Sequence, residues 1–141
     1  MLRLAAFAVT SALAATAAGP LPPLPLARLL GGPDHLTVAV SKAPNPLANG
    51  TYVLECNPVG GDHPEREAAC ARLDRLARDG EDPFAPEDDR AVCSLQHGGP
   101  AIARVTGTWL GQKVDATFRR TNGCEIARWN KLEPVLPPGR S

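Results

Sequence analysis

Charge of one sign, aromatic side chains and long apolar runs are all scarce in this 141-residue chain. Its 15 basic residues balance its 15 acidic ones, so no basic stripe offers a footprint for nucleic acid. Aromatic residues make up 4% of the chain, too few for a base-stacking platform. A membrane span needs about 18 uninterrupted apolar residues. The best candidate, Leu4 to Ala18, is short and broken by Thr10, Ser11 and Thr16. The nucleophile-elbow, P-loop, dinucleotide-glycine and zinc-protease patterns are also missing, and no enzyme is announced. His63-Pro64-Glu65 matches half of a zinc-deaminase signature, but the P-C-x-x-C half is absent. No cysteine pair has the tight C-x-x-C spacing of zinc sites, so neither metal nor cofactor is expected.

What is present begins with Arg3 ahead of an alanine-rich apolar run that ends in small residues. Residues 1–18 therefore read as a secretory signal peptide, and the expected location is secreted and extracellular. Its removal leaves 14 basic against 15 acidic residues, a net charge of about −1. Residues 19–34, rich in proline and glycine, are expected to form a mobile arm. Residues 35–133 are expected to form one domain, and 134–141, with Pro137, Pro138 and Gly139, a disordered tail.

Cys56, Cys70, Cys93 and Cys124 all fall in the exported part, where an oxidising compartment pairs them. Three connectivities are open; closeness in sequence favours Cys56 with Cys70 and Cys93 with Cys124 without deciding it. Each bridge contributes about 3 to 4 kcal/mol in the loop-entropy model. Leu36, Val38 and Val40 alternate with smaller or polar residues as in a half-buried strand, and Thr51–Cys56 predicts a second strand after an Asn49-Gly50 turn. Asp62 with Glu65 predicts a capping box that opens a helix bearing Ala69, Leu73 and Leu76 on one stripe and stopping at Gly80. Glu81–Arg90 reads as a surface loop. Ala101–Trp109 and Lys113–Arg120 predict a β-hairpin around Gly111, and Cys124–Leu132 a last short helix burying Ile126 and Trp129.

The stretch Cys56-x-Pro58-x-x-Gly61-x-His63-Pro64, followed after four residues by Ala69-Cys70-Ala71-x-Leu73, closely resembles the signature of the Streptomyces subtilisin inhibitor family. The likeness runs from about Leu36 to Trp129 and includes Gly107-x-Trp109. It implies an α+β fold: an α/β sandwich with a five-stranded antiparallel sheet, two helices and the disulfides Cys56–Cys70 and Cys93–Cys124. It also implies a homodimer formed through the sheet face.

The same resemblance implies a secreted inhibitor of serine endopeptidases, not an enzyme. Subtilisin-class proteases are the implied partners, and a leucine at position 95 also suits chymotrypsin-like enzymes with large apolar pockets. The reactive bond would be Leu95-Gln96, with Val92, Cys93, Ser94 and His97 in the protease-contacting loop and Asn122 supporting it from beneath by hydrogen bonds to loop carbonyls. Such a loop needs no catalytic group, only an extended shape held rigid while one side chain fills the specificity pocket. Where family members carry an aromatic residue, Asp and Pro, this chain has His97-Gly98-Gly99-Pro100, one residue longer. The two glycines are expected to loosen the loop. The alternative reading is a non-inhibitory extracellular interaction module that keeps the fold.

Overall fold

The alternation around Val38 forms the central strand of the molecule. In the computed structural model, which describes residues 34–139, β1 spans Asp34–Ser41, β2 Gly50–Cys56 and β3 Gly60–Gly61. Helix α1 spans Arg66–Arg78, β4 Ile102–Trp109, β5 Gln112–Phe118 and helix α2 Gly123–Lys131. The strands form one antiparallel sheet in the order β3-β2-β1-β4-β5. The fold is α+β, with five strands, two helices and two disulfides.

Register brings the apolar positions onto one face. Leu36 lies opposite Leu54, and Val38 opposite Val105, which in turn faces Ala116. All five are buried. Ala69, Leu73 and Leu76 of α1 and Trp129 of α2 complete this core. Cys56, at the end of β2, is bridged to Cys70 on α1 and staples helix to sheet. The other face, with Thr37, Ala39, Arg104, Thr106 and Asp115, is open to solvent or only half-covered.

The β4–β5 turn uses Leu110 and Gly111, both in the left-handed region at φ 48° and 77°. A two-residue turn of that kind matches the twist of the strands it joins. Leu110 is a costly residue there, and the Asp34 carboxylate offsets the cost by accepting the Leu110 N–H at 2.8 Å. Its second oxygen accepts from the Asn57 amide at 3.1 Å. Gly107, at φ 130°, packs so closely on the His35 carbonyl that no Cβ fits, which is the physical reason for the Gly107-x-Trp109 pattern.

Several expectations need correction. Asp34 belongs to β1 and is nearly buried rather than the end of an arm; the proposed signal peptide and the rest of the arm lie outside the described residues. The tail is packed, not loose, from Pro134 to Gly139: Val135 and Leu136 are fully buried, and the Trp129 indole donates to the Pro137 carbonyl at 2.9 Å. No capping box forms. The Asp62 carboxylate instead accepts the Val53 N–H at 2.6 Å, and α1 starts after Glu65 without a side-chain cap. His63 buttresses that start: Nδ1 accepts the Glu65 N–H at 3.1 Å and Nε2 donates to the Val135 carbonyl at 2.9 Å. Both ring nitrogens are thus engaged within the fold. Ile126 is only half-buried. No helix among the described residues is long and apolar enough to cross a membrane.

Candidate protease-contacting loop

The segment from Ala91 to Ala101 has no regular secondary structure and leads from the acidic connection into β4. Arg128 fixes its approach. Nε donates to the Ala85 carbonyl at 3.0 Å and Nη1 to the Thr117 carbonyl at 2.7 Å, while the guanidinium lies 4.0 Å from the centroid of the Phe118 ring. Burial lowers the Arg128 pKa from its ordinary value, with the charges of Glu125 and Glu87 opposing the shift.

The start of α2 holds the next stretch. A helix leaves its first N–H groups without intrahelical acceptors. The Asn122 side chain takes one, accepting the Glu125 N–H at 2.9 Å, and the Gly123 N–H is free to donate to the Ser94 carbonyl at 3.0 Å. Cys93, beside Ser94, is bridged to Cys124 in the same helical turn. The chain just before Leu95 is therefore held covalently and by a backbone hydrogen bond.

Three residues beyond Leu95 a second anchor appears. The Gly98 N–H donates to the Arg120 carbonyl at 2.7 Å, and Arg120 Nε donates back to the Gly98 carbonyl at 3.2 Å. Arg120 is 4% exposed. Its Nη1 donates to Asn130 Oδ1 at 2.9 Å, and its guanidinium sits 5.6 Å from the centroid of Trp129. Between the anchors only Leu95, Gln96 and His97 remain, all exposed. Leu95 is 98% exposed, an extreme value for a large apolar side chain. His97 Nδ1 accepts the Gly99 N–H at 3.1 Å, closing a small turn.

The residues picked from sequence thus converge: Val92, Cys93, Ser94, Leu95, Gln96 and His97 form one projecting loop. Two details change. Asn122 caps α2, and among the described residues its side chain makes no hydrogen bond to a loop carbonyl; its neighbour Gly123 does so through the backbone. Nor does the glycine pair simply loosen the loop. Gly98 is pinned in both directions, and a Cβ there would lie 2.9 Å from Ile126 Cδ1. Gly99, at φ 102° with open space around it, is the freer of the two. Arg120 was missed, although the alternation that turns Val114, Ala116 and Phe118 inward carries Arg120 inward as well. Glu87 approaches the sulfurs of Cys93 and Cys124, but bridged sulfurs supply no thiolate for a metal.

Fold and loop together define a disulfide-stapled α+β domain built to display a short, doubly anchored exposed segment. The family model described as subtilisin inhibitor-like matches residues 33–122, and the chain belongs to that family. Subtilisin inhibitor-like protein 1 of Streptomyces cacaoi is 38% identical over 85 residues, spanning 57% of this chain and 74% of the relative. The subtilisin inhibitor of Streptomyces violaceus is 32% identical over 126 residues, spanning 86% of this chain and 85% of the relative. Among solved structures, Streptomyces caespitosus sermetstatin in complex with Bacillus licheniformis subtilisin aligns with a TM-score of 0.45 at 21% identity, covering 73% of this chain and 99% of that one. Both relatives are named as inhibitors.

Proposed function

We propose that this chain is a secreted inhibitor of subtilisin-like serine proteases that inserts the loop around Leu95-Gln96 into the active-site cleft. The observation that carries this reading is Leu95 itself: 98% exposed, yet on backbone fixed on one side by Cys93 and Gly123 and on the other by Arg120. An exposed apolar side chain on a pre-ordered backbone loses little conformational freedom when it enters a pocket. The chain on either side, drawn out in the cleft, would add backbone hydrogen bonds as an extra strand. A leucine at that position suits large apolar pockets, including chymotrypsin-like ones, and not the acidic pocket of trypsin.

Two further features belong to this reading. The signal-like residues 1–18 and the two disulfides agree with action outside the cell. The uncovered sheet face, with Thr37 and Thr106 at its middle, is where a second copy of the chain would pack. The direct test is titration of subtilisin activity with purified, oxidised protein, alongside a Leu95→Gly variant. Stoichiometric inhibition that the variant loses is the expected result; no inhibition by the natural protein at micromolar concentration overturns the reading in favour of a non-inhibitory interaction module.

A further inference from the structure

We propose that Arg120 is the positioning residue that makes the loop an inhibitor rather than a substrate, by holding the downstream side of the Leu95-Gln96 bond in register. The proposal rests on the inhibitory reading above. When a serine protease attacks the Leu95 carbonyl, the acyl group passes to the enzyme's serine and Gln96 departs as a free amine carrying the added proton. The upstream half cannot leave, because the Cys93–Cys124 bridge holds it covalently. Downstream there is no covalent tether near the bond. The first attachment after Gln96 that reaches the body of the molecule is the reciprocal pair between Gly98 and Arg120. If that pair holds, the amine stays beside the acyl carbon and the reverse attack reforms the peptide bond. If it opens, the amine drifts, water completes the hydrolysis and the protease is released.

The local structure fits that task. A planar guanidinium reaches two acceptors in different directions, which a lysine ammonium on a flexible stem does not do with the same preorganisation. Arg120 uses this fork on the Gly98 carbonyl and on Asn130 Oδ1, with its guanidinium 5.6 Å from the centroid of Trp129. Gly98 is its matched partner: a Cβ there would lie 2.9 Å from Ile126 and 3.1 Å from Arg120 Nε.

The experiment compares the natural protein with Arg120→Met and Gly98→Ala, all full-length and oxidised, incubated with subtilisin. It follows residual protease activity and, by mass spectrometry, the fraction cut after Leu95. The natural protein should keep a steady cut fraction and lasting inhibition. Both variants should inhibit about ten- to a hundredfold more weakly, the range expected for losing a charge-assisted hydrogen bond. Their cut form should accumulate as activity returns. A role in stability alone would lower the melting temperature and leave the cut fraction of folded protein unchanged, and that result overturns the proposal. If Arg120→Met does not fold, Gly98→Ala, which retains the arginine, decides. If the natural protein does not inhibit, the functional reading falls. The anchor is then judged by amide hydrogen exchange at Gln96 to Gly99: faster exchange in the variants supports it, and unchanged exchange overturns it.

Discussion

The Gly123 amide donates to the Ser94 carbonyl over 3.0 Å, one residue before the proposed reactive bond. Two features meet here: the unsatisfied N–H groups of a helix start and the need of a projecting loop for a fixed backbone. The contact is tight: a Cβ on Gly123 would force the Ser94 hydroxyl to turn away and would lie 3.2 Å from its Cβ.

Gly123→Ala separates inhibition from stability. In a helix, alanine is favoured over glycine by about 1 kcal/mol, so the fold should survive. The new methyl must displace Ser94, and inhibition of subtilisin should weaken about tenfold or more, or about 1.4 kcal/mol. Inhibition titrations beside thermal melts check this. Unchanged inhibition in a folded variant would show that the Ser94 position does not matter to the protease.

Much of the fold was legible because periodicity is local. Leu36, Val38 and Val40, or Val114, Ala116 and Phe118, state their own face whatever they pack against. Positions set by distant partners were not legible in this way. Nothing near Asp34 in the chain reveals that its carboxylate meets Leu110 and Asn57, and nothing near Val135 reveals that His63 holds its carbonyl. Asp62 and Glu65 have the spacing of a helix cap, but a strand amide 9 residues away competed successfully for the Asp62 carboxylate. At the loop, the family pattern brought out Leu95 and Cys93. Arg120 stayed hidden because arginine is read as a surface residue unless the inward phase of its strand is followed to the end.

Asp34→Ala tests the tie between the two turns. It removes a nearly buried carboxylate that accepts two hydrogen bonds and leaves Leu110 in the left-handed region without its partner. Hydrogen bonds to charged groups are worth about 1.5 to 3 kcal/mol each, and the net cost should be about 2 to 3 kcal/mol. For a domain of roughly this size that lowers the melting temperature by about 10 °C or more. A shift of only a degree or two would mean that the turn holds itself.

Truncation after Glu133 should be severe, contrary to what the proline-rich tail suggests. Val135 and Leu136 are fully buried, and burying such side chains contributes about 1.5 to 3 kcal/mol each. The cut also strips His63 Nε2 and the Trp129 indole of their acceptors. Chemical denaturation should show a loss of about 4 kcal/mol or more. A truncated chain as stable as the full one would contradict this packing.

Specificity should follow residue 95. Leu95→Lys leaves the anchors at Ser94 and Gly98 untouched, so the backbone presented to a protease stays the same while the side chain changes from apolar to cationic. Trypsin-like enzymes should become inhibited and subtilisin inhibition should weaken, in parallel titrations of the two enzymes. An unchanged profile would place the reactive bond elsewhere on the molecule.

The open face of the sheet carries the last expectation. Thr37 lies at its middle, between Val53 and Thr106 on the neighbouring strands. Arg104 and Asp115 form an exposed two-point ion pair towards one edge, 3.0 Å at each contact. The hydrogen bond from Arg104 lowers the Asp115 pKa, but a pair so exposed contributes little to stability, and the proposed dimer would rest on the small and apolar side chains of this face. Thr37→Arg puts a cation at the centre of such an interface, where a second copy would present the same charge and burial would strip both of water. Sedimentation equilibrium should show a dimer for the natural protein and a monomer for the variant, with the Leu95 loop still inhibitory. A natural protein that sediments as a monomer would leave this face without a partner copy.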